Sequence, residues 1–207
     1  MGFTINKIEP KKLELMKQTG VWREECPVHY SRLKTIEVTF CGFDGNQKEG
    51  TLVVLDILAE QVLSIFQELL DIQFSINKIL PIEEFGGDDL KSMKANNSSA
   101  FNGRLVARTN RWSSHAFGAA IDVNPIQNPY LLLNDDKELV EVIPPEGSDF
   151  LDRSEAYRGM VEEIVPIFAK HGFTEWGGSW EEKPDYHHFQ IPWDDIQKLF
   201  PEFRQDR

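Results

Sequence analysis

Leu33-Lys34-Thr35-Ile36-Glu37-Val38-Thr39-Phe40-Cys41-Gly42-Phe43 alternates apolar with polar side chains and is rich in β-branched residues. Alternation with a period of two puts Ile36, Val38 and Phe40 on one face and Thr35, Glu37 and Thr39 on the other, so the stretch predicts a half-buried strand. Asp44-Gly45-Asn46 then turns the chain, and Thr51 to Leu55 predicts the returning strand of a hairpin with a loop of several residues. From Ile57 to Leu70 the period changes. Ile57, Leu58, Val62, Ile65, Phe66, Leu69 and Leu70 recur at three and four, the pattern of an amphipathic helix. A hairpin followed by a helix, with no regular strand-helix-strand alternation downstream, predicts an α+β fold: a small, mainly antiparallel sheet packed by helices.

Working outward, Glu9 to Gln18 has helical spacing, with Leu13 and Met16 on one face and Gly20 as its stop. After the hairpin and helix, Ser75 to Ile79 predicts a short strand ending at Pro81. Glu83 to Arg111 loses periodicity and is rich in Gly, Asn, Ser and Asp; a long irregular segment inside a compact domain is often functional. Ala119 to Val123 predicts a strand stopped by Pro125 and Pro129, and Asp135 to Asp149 an acidic surface loop. Ser154 to His171 predicts a helix capped by Ser154, kinked at Pro166 and stopped at Gly172. His188 to Ile191 predicts a strand, and Trp193 to Phe200 a short terminal helix.

Of 207 residues, 22 are basic and 34 acidic, for a net charge of −12. That balance argues against a nucleic-acid partner, because phosphate binding relies on clustered Lys and Arg. A hydrophobic share of 41% and a charged share of 27% are those of a globular chain, and the length fits one domain spanning 1–207. The most apolar segment, Thr51 to Leu70, is interrupted by Asp56, Glu60, Gln61, Gln67 and Glu68, so no transmembrane segment is expected. Met1 to Lys7 lacks the pattern of a secretory signal, which leaves a cytoplasmic location, or a periplasmic or extracellular one if a leader has been removed. Cys26 and Cys41 are expected to be two small buried apolar side chains, the alternative being a single bridge between them in an exported protein.

Three of the five histidines fall in two dense polar-aromatic segments, each of which also holds an aspartate. The first runs from Arg111 to Val123 and contains His115 and Asp122. The second runs from Trp176 to Gln190 and contains Asp185, His187 and His188. Two imidazoles and a carboxylate can hold a zinc ion and leave a fourth position open for water, as a hydrolytic site needs. Side chains alternate across a strand, so Asp122 points away from Ile121 and Val123, and His187 and His188 point to opposite faces. If Phe189 and Ile191 are buried, His188 is the better ligand; His187 remains a weaker alternative ligand or a substrate contact.

Ser113-x-His115-x-x-Gly118-x-Ala120-x-Asp122, followed by Asp185-x-x-His188-Phe189, resembles the signature of the zinc D-alanyl-D-alanine carboxypeptidase family, the VanY-type peptidoglycan peptidases. This wider group includes L-alanyl-D-glutamate endopeptidases and shares its metal-site plan with hedgehog domains. The likeness takes in Asn97-Ser98-Ser99-Ala100-Phe101-Asn102-x-Arg104, Asn124-Pro125-x-x-Asn128-Pro129-Tyr130 and Gly172-Phe173-x-x-Trp176-Gly177-Gly178. It covers most of Asn96 to Gln190, which makes about 96–191 the metal-site core and about 1–30 an N-terminal extension.

Position by position, the resemblance implies zinc held by His115, Asp122 and His188, with Asp185 as general base. It implies Arg104 as the cation that steadies a developing oxyanion. Ser113 is expected to donate a hydrogen bond to substrate or to a ligand, while Trp176 and the Gly177-Gly178 pair form a wall beside the substrate backbone. The implied partner is a peptidoglycan stem peptide, cut at a terminal D-Ala-D-Ala or, alternatively, within the stem between L-Ala and D-Glu. One departure stands out: Gln190 occupies a position where the family commonly has an acid. Two rivals come from other classes, a non-catalytic zinc-containing binding module and a mononuclear iron oxygenase. The oxygenases commonly space their first histidine and acid two apart, against seven here.

Overall fold

A computed structural model of the chain describes residues 2–107 and 109–203. The first sheet is antiparallel, in the order β1 (Thr4–Lys7), β2 (Leu33–Cys41) and β3 (Gln47–Leu55), with helix α1 (Pro10–Gln18) between the first two strands. Pro10 sits in the opening turn of α1, where its missing N–H costs nothing, and Met16 is its buried anchor. Gly42 to Asn46 turn the hairpin, and Ile36 faces Leu52 across it. Helix α2 (Ala59–Asp71) follows through a tight turn at Asp56–Leu58 and packs on β2 with Val62, Ile65, Phe66 and Leu69 fully buried. Two details differ from the sequence reading. Ile57 is exposed because it lies in the turn before the helix, and Thr35 and Thr39 are buried because both faces of β2 are covered.

The segment from Glu83 to Arg111 is less irregular than expected. It holds a six-residue helix, α3 (Asp89–Lys94), which Asp88 caps by accepting from the Lys91 N–H at 3.0 Å. Six residues are too few to show an apolar period. Strands β4 (Lys78–Ile79) and β5 (Asn97–Ser98) flank α3 and pair in parallel. From Ser99 the chain runs beside β6 (Ala120–Asp122), exchanging two backbone hydrogen bonds between Ser99 and Asp122 at 3.0 and 2.8 Å.

Two further expectations are corrected. The acidic stretch from Asp135 is not all loop: β7 (Tyr130–Leu133) and β8 (Leu139–Ile143) form a hairpin, whose turn is tied by Asn134 Oδ1 accepting from the Asp136 and Glu138 N–H groups. The charges of the turn had hidden the apolar runs on either side. The long helix expected from Ser154 shrinks to α4 (Val165–Lys170), in which Pro166 opens the helix instead of kinking it, while Ser154 bonds Asp152. Gly172 follows its end, as expected. Cys26 and Cys41 are buried free thiols.

The last strands, β9 (Glu175–Trp176) and β10 (His188–Gln190), complete a second antiparallel sheet in the order β6-β10-β9, and α5 (Trp193–Leu199) closes the described chain apart from a final turn. A single apolar cluster runs through both sheets and includes Ile36, Phe66, Ile121, Phe168 and Phe189. Phe168 of α4 stacks on Phe189 at 4.0 Å, so the apolar face of β10 is pressed into this core. The architecture is α+β, as the absence of regular strand-helix-strand alternation predicts.

The two sheets meet at Gly118. Its carbonyl accepts from the Leu55 N–H at 3.0 Å, and its φ is +64°. A β-carbon there would stand 2.6 Å from the Leu55 backbone nitrogen, so the glycine of the His-x-x-Gly motif is required by both conformation and space. Gly118→Ala is expected to destabilise the fold by more than ~1 kcal/mol, measured by urea denaturation; unchanged stability would mean that the contact relaxes freely.

Candidate metal centre

A turn at Ser114–Phe117 projects His115, and Ser113 caps it by accepting from the His115 N–H at 3.3 Å. His115 Nδ1 hydrogen-bonds the Ala100 carbonyl. A carbonyl only accepts, so Nδ1 carries the hydrogen and Nε2 presents a lone pair. That lone pair faces Asp122 Oδ2 and His188 Nδ1, each 3.2 Å away.

Asp122 and His188 are direct partners across β6 and β10, and His188 Nδ1 stands 3.0 Å from Asp122 Oδ1. The other ring nitrogen of His188, Nε2, lies 2.9 Å from Gln190 Oε1. Gln190 in turn donates from Nε2 to Glu175 Oε2 at 2.6 Å, which keeps its oxygen turned to the histidine. His188 is thereby held with Nε2 as donor and Nδ1 facing inward.

His115, Asp122 and His188 are all buried, and their ligand atoms lie within 4.8 Å of one another. Two inward nitrogens and a carboxylate at this separation repel unless a cation, either a proton or a metal, sits among them. Two imidazoles and one carboxylate are a zinc donor set, and each ring's outer nitrogen is anchored as metal-binding histidines require, so the residues fit that metal. The electrostatics agree. Burial alone would raise the Asp122 pKa, but the nearby His115 and His187 rings hold its carboxyl well below the usual range. Burial would lower the His188 pKa, yet the bond to Asp122 carries it upward.

His187 does not take the place that simple alternation assigns. It precedes β10, and its backbone carbonyl accepts from the Val123 N–H at 2.9 Å. Nδ1 donates to the Asn128 carbonyl at 2.7 Å, while Nε2 lies 3.0 Å from Asp185 Oδ1 and 3.9 Å from Asp122 Oδ2. Burial opposes charge on this ring, but Asp185 and then Asp122 push its pKa up to about 10. With both nitrogens facing oxygen acceptors, the ring is directed to donate at each end, and it links the two carboxylates.

Asp185 and Arg104 both line the cleft, of about 700 Å³, that opens over these groups. Arg104 Nη2 is 2.8 Å from Asp89 Oδ2, so the guanidinium is tethered by a residue of α3, while its buried Nε has no hydrogen-bond partner among the described residues. Ser113 lines the cleft too, although its oxygen is engaged with the His115 N–H.

Trp176 does not line the cleft. Its Nε1 donates to the Tyr186 carbonyl at 2.9 Å, and its ring lies nearly parallel to Phe189. Trp180 does line the cleft, as do Trp112, Tyr130 and Trp193, and its ring lies 5.4 Å from that of His188. The Gly177-Gly178 pair serves packing: β-carbons there would meet the Asp185 carbonyl oxygen and the Trp176 ring within 2.4 Å. The sequence reading therefore missed Trp180, Asp89 and Glu175. Trp180 stood among several tryptophans with no periodicity to separate them, and the other two become visible only through partners far along the chain.

Residues 107–191 match the family model described as D-alanyl-D-alanine carboxypeptidase. This is the family that the motifs resemble, and the matched span contains all three grouped ligands together with Asp185. The match supports a hydrolase acting as a peptidase. No curated protein and no solved structure matches the chain.

A test of the electrostatics follows from His187. With an ordinary value of ~6.5 unfolded and about 10 folded, its contribution to stability is complete below the lower value and disappears as pH climbs toward the higher one. Metal-free protein is expected to lose stability to urea across that window. His187→Gln should flatten the slope, and an unchanged slope would show that the ring is neutral.

Proposed function

We propose that the chain is a zinc-dependent peptidase that hydrolyses an amide bond in peptidoglycan stem peptides, with D-alanyl-D-alanine carboxypeptidase as its activity. One observation carries this reading. His115, Asp122 and His188 bring three donors to one point beneath an open cleft, inside the segment that matches the carboxypeptidase family. Zinc held there would supply a Lewis acid that lowers the pKa of water toward ~7 and polarises the scissile carbonyl.

The chain's own groups complete the chemistry. Asp185, held at Oδ1 by the His187 ring, takes the proton of the attacking water and passes it to the departing amine nitrogen. Arg104, steadied by Asp89, offers its remaining donors to the oxygen that gains charge as the carbonyl carbon becomes tetrahedral. Ser113 can turn its hydroxyl hydrogen to the substrate backbone, while Trp180 provides an apolar face for the small side chains of the stem.

A cleft of about 700 Å³ is larger than a terminal dipeptide fills. That favours, as the second reading, an endopeptidase acting between L-Ala and D-Glu. A binding module without turnover would have no use for a carboxylate and a tethered guanidinium facing the same cleft.

Incubation of purified muropeptides with the zinc-loaded protein, with mass analysis of the products, is expected to show loss of one alanine that a chelator abolishes. Cleavage inside the stem would select the second reading, and binding without any product would overturn the enzyme. Asp185→Ala should keep zinc but lose at least ~100-fold in kcat, whereas His188→Ala should lose the metal itself. Unchanged turnover in the first, or full zinc content in the second, would reverse these roles. Arg104→Ala should lower kcat more than it raises KM; the opposite pattern would make the arginine a substrate anchor.

A further inference from the structure

We infer that Glu175 is a positioning residue for His188, acting through the Gln190 amide to decide which nitrogen of that ring faces the metal centre. This deepens the proposed zinc site and rests on it. A glutamine side chain is ambivalent: its oxygen accepts, and its nitrogen donates. Were the amide reversed, its NH2 would meet His188 Nε2, which would then have to be the acceptor. The ring hydrogen would move to Nδ1 and point at His115 and Asp122, where it would block a metal.

Glu175 removes that ambiguity. Its carboxylate only accepts, and Oε2 lies 2.6 Å from Gln190 Nε2. The register of β9 on β10 sets Glu175 directly opposite Gln190. The second oxygen of Glu175 accepts from the Trp193 N–H at 3.1 Å, at the start of α5, which fixes the carboxylate at both ends. Gln190 is only 4% exposed, so water does not compete for the amide. Ser114 Oγ, 3.4 Å from His188 Nε2, both donates and accepts and therefore imposes no direction. The negative charge that the family commonly places directly after the His-Phe pair is thus supplied here from one residue further out, on another strand.

Polarity, and not mere packing, is what the relay predicts, so the test reverses it. E175Q frees the amide to flip and should weaken zinc binding by about 10- to 100-fold, the usual effect of losing a partner of a ligating histidine. Q190E sets two carboxylates side by side and should weaken it similarly. The double variant E175Q/Q190E exchanges acid and amide, lets a carboxylate accept directly from His188, and should return affinity to within about threefold of the parent in a double-mutant cycle.

Zinc affinity is read by competition with a chromophoric chelator. The His188 tautomer is read by nitrogen-15 NMR on the metal-free protein, at a pH where that ring is neutral. The parent and the double variant should show Nε2–H, and E175Q a shift toward Nδ1–H. Parent-like affinity and tautomer in both single variants would overturn the relay, as would a folded double variant that stays weak. Should the single variants fail to fold, the double variant alone decides. Should the parent bind no zinc yet keep the expected tautomer pattern, the metal reading fails while the relay stands.

Discussion

The pairing of Asp122 with His188 across β6 and β10 is the contact on which the site depends. A strand slipped by one residue turns every side chain to the opposite face, so a single-residue change of register would bury His188 in the core and expose Phe189 to the cleft. Apolar packing prevents the slip. Ile121 and Phe189 are partners in the same register, both fully buried, and Phe189 is stacked on Phe168 of α4. A hydrophobic contact on one face of a three-residue strand thus sets the position of a polar group on the other.

Burying two imidazoles and a carboxylate together is costly unless every polar atom has a partner and the charges balance. The fold meets this requirement by anchoring the outer atoms. Ala100 holds His115, Gln190 holds His188, and Asn128 holds His187, each on a different part of the chain. What remains inside is a concentration of lone pairs and negative charge that favours a cation, and the depressed Asp122 and raised His188 pKa values are two expressions of that one field. His187 lies between Asp122 and Asp185, and the two carboxylates push its pKa upward. The general base proposed for the reaction is therefore coupled to the candidate metal site through the His187 ring.

The asparagines of the family-like motifs have a structural part in this arrangement. Asn124 receives the Asn77 N–H on its oxygen and donates to the Ser75 and Gly159 carbonyls, while Asn128 donates to Val123, Asn124 and Gly159 and accepts from Arg153. These bonds tie the loop after β6 to segments before and after it. They hold in place the Asn128 carbonyl that orients His187.

Elements with many repeats of a period could be read from sequence, which is why β2, β3, α1 and α2 lie close to their expected places. The grouping of His115 with Asp122 could be read as well, because the seven-residue spacing between them spans a turn, a required glycine and a strand whose alternation aims the carboxylate. Short elements escaped: α3 and β7–β8 hold too few residues to show a pattern against their charges, and the helix expected from Ser154 was overextended because 3.6-residue spacing also arises in irregular chain. By itself the sequence determined which residue types were present that could bind a metal, and that Asp122 and His188 would lie on strands. The tertiary structure alone decided that His187 would lie between Asp122 and Asp185, that Trp180 and not Trp176 would line the cleft, and that Glu175 would reach His188 through Gln190. Each of these depends on distances between residues remote along the chain, and local periodicity carries no information about such distances.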